Sequence, residues 1–170
     1  MIEVFGYGSL VNRRTQDFGG ARVTLAGWRR VWVTTSERPA AFLSVEPAEA
    51  EIEGLSFPVA PAVLPALDER EAQYDRLPRQ GGVVYSVPAA NQTPGAAPIL
   101  RSYLDVVLQG YLAEFGAAGV ERFMATTTSW ERGILDDRAA PLYPRAQVLT
   151  AEETAHFDAL VASIPVVEQT

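Results

Sequence analysis

Up to residue 60 the apolar residues of this chain come in short runs rich in valine, threonine and aromatic side chains, cut by glycine and proline; helical spacing begins only at Pro61. Runs of the first kind fit half-buried strands. Met1 to Phe5 reads as a buried strand and ARVTLAGWRRVWVTT as a partly alternating one. AFLSVEP and IEGLSFPV read as two further strands, separated by the polar AEAE. From Pro61, PAVLPALDEREAQY reads as a helix with a proline tolerated in its first turn. GGVVYSVP returns to strand, and AANQTPGAAP is loop by composition.

ILRSYLDVVLQGYLAEFG is the strongest helix, with Leu100, Tyr103, Val107, Leu108, Tyr111, Leu112 and Phe115 near helical spacing. A shorter helix follows in AAGVERFMATT. TAEETAHFDALVASI closes the chain as a helix whose Thr150 and Glu153 form a capping box. Many strands with a few interleaved helices predict a single α+β domain over residues 1–170, built on a small, mixed, mostly antiparallel sheet or barrel.

Composition narrows the chemistry. There is no cysteine, which excludes disulfides, thiolate metal sites and a cysteine nucleophile. A single histidine, His156, leaves almost no material for a Ser-His-Asp triad or a polyhistidine metal site. Acid–base chemistry therefore falls to a carboxylate, a tyrosine or backbone groups. The formal charge of −7 argues against a nucleic-acid partner. No apolar run approaches the roughly 18 residues that span a bilayer, and no basic-then-apolar start suggests secretion. A cytoplasmic protein with no membrane partner is the expectation. Asp136 and Asp137 in LDDRAAPLYPR suggest a helix cap or an arginine partner more readily than a metal site.

Two stretches stand out. FGYGSL, at Phe5 to Leu10, interrupts the first strand with two glycines. It reads either as a tight turn or as a cradle in which backbone N–H groups approach an anionic ligand. It is neither a Walker loop nor a dinucleotide fingerprint. In LDEREAQY, at about 100° per residue, Glu71 projects between Leu64 and Leu67, while Glu69 and Gln73 fall opposite. A carboxylate on an apolar face is either paired with an arginine, such as Arg70, Arg76 or one from GWRRVW, or held for chemistry with a raised pKa.

FGYGSL followed some sixty residues later by LDEREAQY resembles the γ-glutamylcyclotransferase superfamily, which includes ChaC-type glutathione-degrading enzymes, γ-glutamylamine cyclotransferases and AIG2-like proteins. GWRRVW, the ERP at Glu37 to Pro39, IEGLSFPV, and Tyr103 and Gly110 in SYLDVVLQG fit the same pattern. The resemblance covers residues 1–116, with 117–170 as a C-terminal extension packed on that domain. It implies a small β-barrel with flanking helices and release of 5-oxoproline from a γ-glutamyl compound, without metal, cofactor or covalent nucleophile. Glu71 would be the general base. Tyr7, Gly8, Ser9 and Leu10 would bind substrate and the developing oxyanion, and Tyr103 would orient the substrate. The resemblance leaves the leaving group open. DRLPRQ lacks the second glutamate of ChaC proteins, and nothing in TTTSW or DDRAAPLYPR maps to a family role. A non-catalytic protein that binds a small acidic ligand on the same fold is the alternative.

Overall fold

The computed structural model describes residues 1–95 and 97–168. Its elements run β1 (Ile2–Gly6), β2 (Ala21–Val33), β3 (Phe42–Val59), α1 (Leu64–Arg70), β4 (Asp75–Arg79), β5 (Gly82–Ser86), β6 (Ile99–Leu100), α2 (Arg101–Ala125), β7 (Thr127–Thr128), β8 (Ile134–Leu135), α3 (Ala151–Val161) and β9 (Val166–Val167). The main sheet has six strands in the order β4-β5-β1-β3-β2-β7. Its β1–β3, β2–β3 and β4–β5 pairs are antiparallel, and β1–β5 and β2–β7 are parallel. The expected mixed, mostly antiparallel α+β arrangement is present. The barrel is not closed: β4 and β7 end the sheet instead of pairing with each other. Three short strands, β6, β8 and β9, make a separate parallel sheet.

The two strands expected at AFLSVEP and IEGLSFPV form one strand of 18 residues. The polar AEAE between them leaves a different mark. Ala26 pairs with Glu51 but Trp28 pairs with Pro47, so three residues of β3 face the single Gly27 of β2. Gly27 has φ +85°, a left-handed conformation that glycine adopts without strain. The break seen in the sequence is thus a bulge inside a continuous hairpin.

DRLPR, not expected to be a strand, forms β4 at the sheet edge. Pro78 is tolerated there because an edge strand can spare one donor. The helix from Pro61 is shorter than its sequence pattern, covering only Leu64–Arg70.

Both helices expected between residues 99 and 127 form, as two parts of α2 separated at Gly116 (φ +69°, ψ −173°). Every residue from Arg101 to Tyr111 is buried, so this part is enclosed on all sides. One flank packs on the loop after β1, where Asn12 Nδ2 donates to Val106 O at 2.9 Å and Gln109 Oε1 at 3.0 Å. Gly110 lets the two backbones meet: a Cβ there would lie 2.6 Å from Asn12 N. The other flank is covered by the C-terminal third. There Arg101 joins Asp105 and Asp158, and Gln109 donates to Val148 O and Glu153. The final helix α3 begins with the expected Thr150–Glu153 capping box. Among the described residues no helix is long and apolar enough to cross a membrane.

Candidate active site

A cavity of about 910 Å³ opens between the loop after β1, the segment entering β3, the end of α1, the start of α2 and the C-terminal third. Of the residues singled out from the sequence, Ser9, Glu71 and Tyr103 line it. Tyr7, Gly8 and Leu10 do not.

Glu71 closes the last turn of α1 from the C-cap position. Its N–H donates to Leu67 O at 3.0 Å, and its carbonyl accepts Tyr74 N–H at 2.8 Å. Leu64 and Leu67 anchor that turn in the core, which turns the Glu71 side chain inward. The side chain is 17% exposed, and Arg70 Nε lies 3.5 Å from Oε1, within ion-pair reach but without a hydrogen bond. Two opposed effects act on its pKa. Burial raises it, while Arg70, Arg38 and Arg145 pull it down, and burial wins. The ion-pair and poised-carboxylate readings are therefore both present in one residue. Arg76 is engaged elsewhere, 3.0 Å from Asp68, and Arg30 of GWRRVW is bonded to Tyr111 and Thr126.

Four tyrosines surround the carboxylate, in two kinds. Tyr7 and Tyr74 have spent their hydroxyl protons on backbone carbonyls, Tyr85 O at 2.7 Å and Leu43 O at 2.8 Å. Of these two, Tyr74 lines the cavity and Tyr7 does not. Tyr103 and Tyr143 line the cavity, and neither hydroxyl is hydrogen-bonded to a described residue. The Tyr103 ring is fixed by Trp32, Phe42 and Tyr143, with centroids 5.9, 4.8 and 5.0 Å away. Its hydroxyl sits where Gly8 has no side chain, 2.9 Å from the position a Cβ would take. Burial holds Tyr7, Tyr74 and Tyr103 well above the ordinary tyrosine pKa, so all three stay protonated.

The loop after β1 is a 3₁₀ turn over Ser9–Val11. Val11 N–H bonds Gly8 O and Asn12 N–H bonds Ser9 O, while the N–H groups of Gly8, Ser9 and Leu10 reach no protein acceptor among the described residues. Tyr111, fully buried, braces the loop from behind: its hydroxyl accepts from Arg30 at 2.6 Å and lies 2.9 Å from Tyr7 O. Of Gly8, Ser9 and Leu10, only Ser9 lines the cavity together with Glu71.

Several lining residues escaped the sequence. Arg38 stacks on Phe42 at 4.6 Å, and Tyr143 and Arg145 come from LYPR. The neighbouring Asp137 explains how they arrive. It caps α2 by accepting from Ser102 N (2.7 Å) and Oγ, and it also accepts from Leu142 N at 2.9 Å. Of the paired aspartates, Asp137 thus acts as the helix cap, while Asp136 accepts from Arg138 N at 3.3 Å.

No family model matches the sequence, and no curated protein matches it. Solved structures do. A structure described as gamma-glutamyl cyclotransferase superposes with a TM-score of 0.60 at 13% identity, over 93% of this chain and 98% of that one. YkqA from Bacillus subtilis superposes with a TM-score of 0.56 at 17% identity. That match covers 75% of this chain, which spans only 56% of YkqA's length. The protein has the fold of these two structures.

Proposed function

We propose that the protein is a γ-glutamylcyclotransferase-like enzyme that releases 5-oxoproline from a γ-glutamyl amino acid, peptide or amine, with Glu71 as general base. One observation carries the reading: a carboxylate 17% exposed, on a wall shared with Ser9 and the unbonded Tyr103 hydroxyl. The likeness in fold supports it.

The reaction starts from an α-ammonium group. Glu71 takes one of its protons, and the freed amine attacks the γ-carbonyl carbon of the same molecule. The new C–N bond closes a five-membered ring while negative charge builds on the carbonyl oxygen. Collapse breaks the bond to the leaving amine, which receives the proton held by Glu71. The ring nitrogen then sheds its second proton by way of Glu71, so the lactam keeps one N–H and the leaving amine ends as an ammonium. A base whose pKa lies above the usual carboxylate range suits both transfers. The N–H of Ser9, the one residue of this loop that lines the cavity, is a donor for the substrate carboxylate or the oxyanion. Tyr103 orients the γ-glutamyl chain. Both reacting groups are in one molecule, so catalysis reduces largely to holding a near-attack conformer.

The test is 5-oxoproline formation from a panel of γ-glutamyl compounds by wild type and Glu71→Gln. Equal turnover by the two removes Glu71 from the mechanism. Binding without product from any compound identifies a small-ligand-binding protein instead.

A further inference from the structure

The cavity holds more positive charge than a γ-glutamyl group can use. Its wall carries the guanidinium groups of Arg38, Arg70 and Arg145 and the carboxylates of Glu71 and Glu168. Arg70 is committed to Glu71, 3.5 Å away. Arg38 and Arg145 have no carboxylate within ion-pair reach among the described residues. Of the three arginines on the cavity wall, they are the two without a carboxylate partner, whereas Arg13, Arg22, Arg29, Arg76, Arg101, Arg122 and Arg138 elsewhere in the chain are paired. A γ-glutamyl head group is itself balanced, with one ammonium and one carboxylate. Two unpaired guanidiniums facing one exposed Glu168 leave room for a second anion.

The position of Arg145 is set by construction. Residues 137–143 form a strap with both ends tied to the first turn of α2. Asp137 holds Ser102 and Leu142, and Tyr143 N–H donates to Ser102 Oγ at 3.3 Å. A turn from Tyr143 O to Ala146 N, 3.1 Å, then carries Arg145 to the cavity rim. Phe42, Leu135, Leu142 and Val167 add apolar wall, and the volume exceeds what a γ-glutamyl group alone fills.

Resting on the γ-glutamyl reading of the cavity, we propose that Arg145, with Arg38, forms a second anion subsite and selects substrates whose leaving amine carries a carboxylate. Arg145 is a specificity-determining residue: it meets the departing half of the substrate and takes no part in proton transfer.

The experiment compares γ-glutamylvaline with γ-glutamylisobutylamine, which differ only by that carboxylate, in wild type, Arg145→Gln and Arg145→Lys. Wild type is expected to favour the acid in kcat/KM by at least tenfold, mainly through KM. Arg145→Gln should lower that ratio about tenfold, and Arg145→Lys should restore most of it. A merely structural defect would slow both substrates alike and leave the ratio standing. Equal wild-type handling of the two substrates, or an unchanged ratio in Arg145→Gln, overturns the subsite. The same ratio is read as Kd with glutarylvaline and glutarylisobutylamine, which lack the α-amine and cannot cyclise. If neither γ-glutamyl compound gives 5-oxoproline, the proposed reaction fails, and the Kd ratio still decides the subsite.

Discussion

Replacing Gly110 by alanine reverses an ordinary rule. In a helix interior, alanine is favoured over glycine by roughly 1 kcal/mol. Gly110 lies within α2, where it meets the loop after β1. An added Cβ would lie 2.6 Å from Asn12 N, 2.8 Å from its Cα and 2.9 Å from its Cβ, where ordinary contact begins near 3.4 Å. The first two are backbone atoms, so no side chain can swing aside. Loop and helix must separate by about 0.8 Å, the shortfall of the closest contact. Overpacking of this kind costs about 1–3 kcal/mol. The separation also stretches the Asn12 bonds to Val106 O and Gln109 Oε1, now 2.9 and 3.0 Å, each contributing about 1 kcal/mol. These costs outweigh the propensity gain, for a net loss of about 2 kcal/mol, or about 4–8 °C in Tm for a chain of this size. Urea denaturation followed by far-UV circular dichroism measures the change. A variant as stable as wild type, or more stable, refutes the argument that close approach requires glycine here. The same displacement moves Ser9, so 5-oxoproline formation should fall even at temperatures where the variant is fully folded.

Glu71→Gln should reduce kcat/KM about 10²- to 10⁴-fold, the usual range for a general base, and should remove the acid limb of the wild-type pH profile. Its effect on stability has the opposite sign. Burial raises the folded-state pKa of Glu71, so its contribution is fully present below the ordinary carboxylate pKa and is lost as pH rises through the raised value. The variant escapes that loss, so it should match or exceed wild-type stability at pH 8, with the difference shrinking toward pH 4; thermal melts across this range that show Glu71→Gln weaker at pH 8 would contradict the desolvation argument. Tyr111→Phe strips the hydroxyl that serves Arg30, Tyr7 O and Glu53 O in a fully buried site, and should cost about 2–3 kcal/mol in denaturant titrations. A cost below about 0.5 kcal/mol would mean that water replaces the hydroxyl. Asp137→Ala unties the strap from α2 and should speed amide hydrogen exchange at Ser102 and Leu142 while leaving that at Val84, in the central sheet, unchanged.

What could be read from the chain depended on whether a feature is periodic or tertiary. The inward turn of Glu71 was legible because Leu64 and Leu67 set a phase that still holds one residue past the end of α1. The division of α2 was legible through the composition around Gly116, and the α3 cap through Thr150 and Glu153. AEAE gave a real discontinuity but not its kind, since a bulge and a strand end both interrupt alternation. Closure of the sheet was illegible, because it depends on whether β4 and β7 meet, and no local pattern encodes that. Arg38, Tyr143 and Arg145 were illegible as site residues for the same reason. They lie outside the helices and strands, and Tyr143 and Arg145 reach the cavity only because Asp137 bonds Ser102, 35 positions earlier.

The first three turns of α2 explain why the recognisable motifs occur together. Ser102 ties the strap, Tyr103 fills the space left by Gly8 and presents a free hydroxyl, and Val106, Gln109 and Gly110 receive the loop through Asn12. FGYGSL and RSYLDVVLQG are thus two sides of one contact. One glycine on each side is set by the other: Tyr103's hydroxyl stands at Gly8, and the backbone of Asn12, two residues past Leu10, stands at Gly110. Substituting either glycine alone should damage the site from opposite sides. Gly8→Ala pushes the Tyr103 hydroxyl, the far end of a side chain, whereas Gly110→Ala pushes backbone. The first variant should therefore lose substrate affinity with little loss of stability, and the second should lose both.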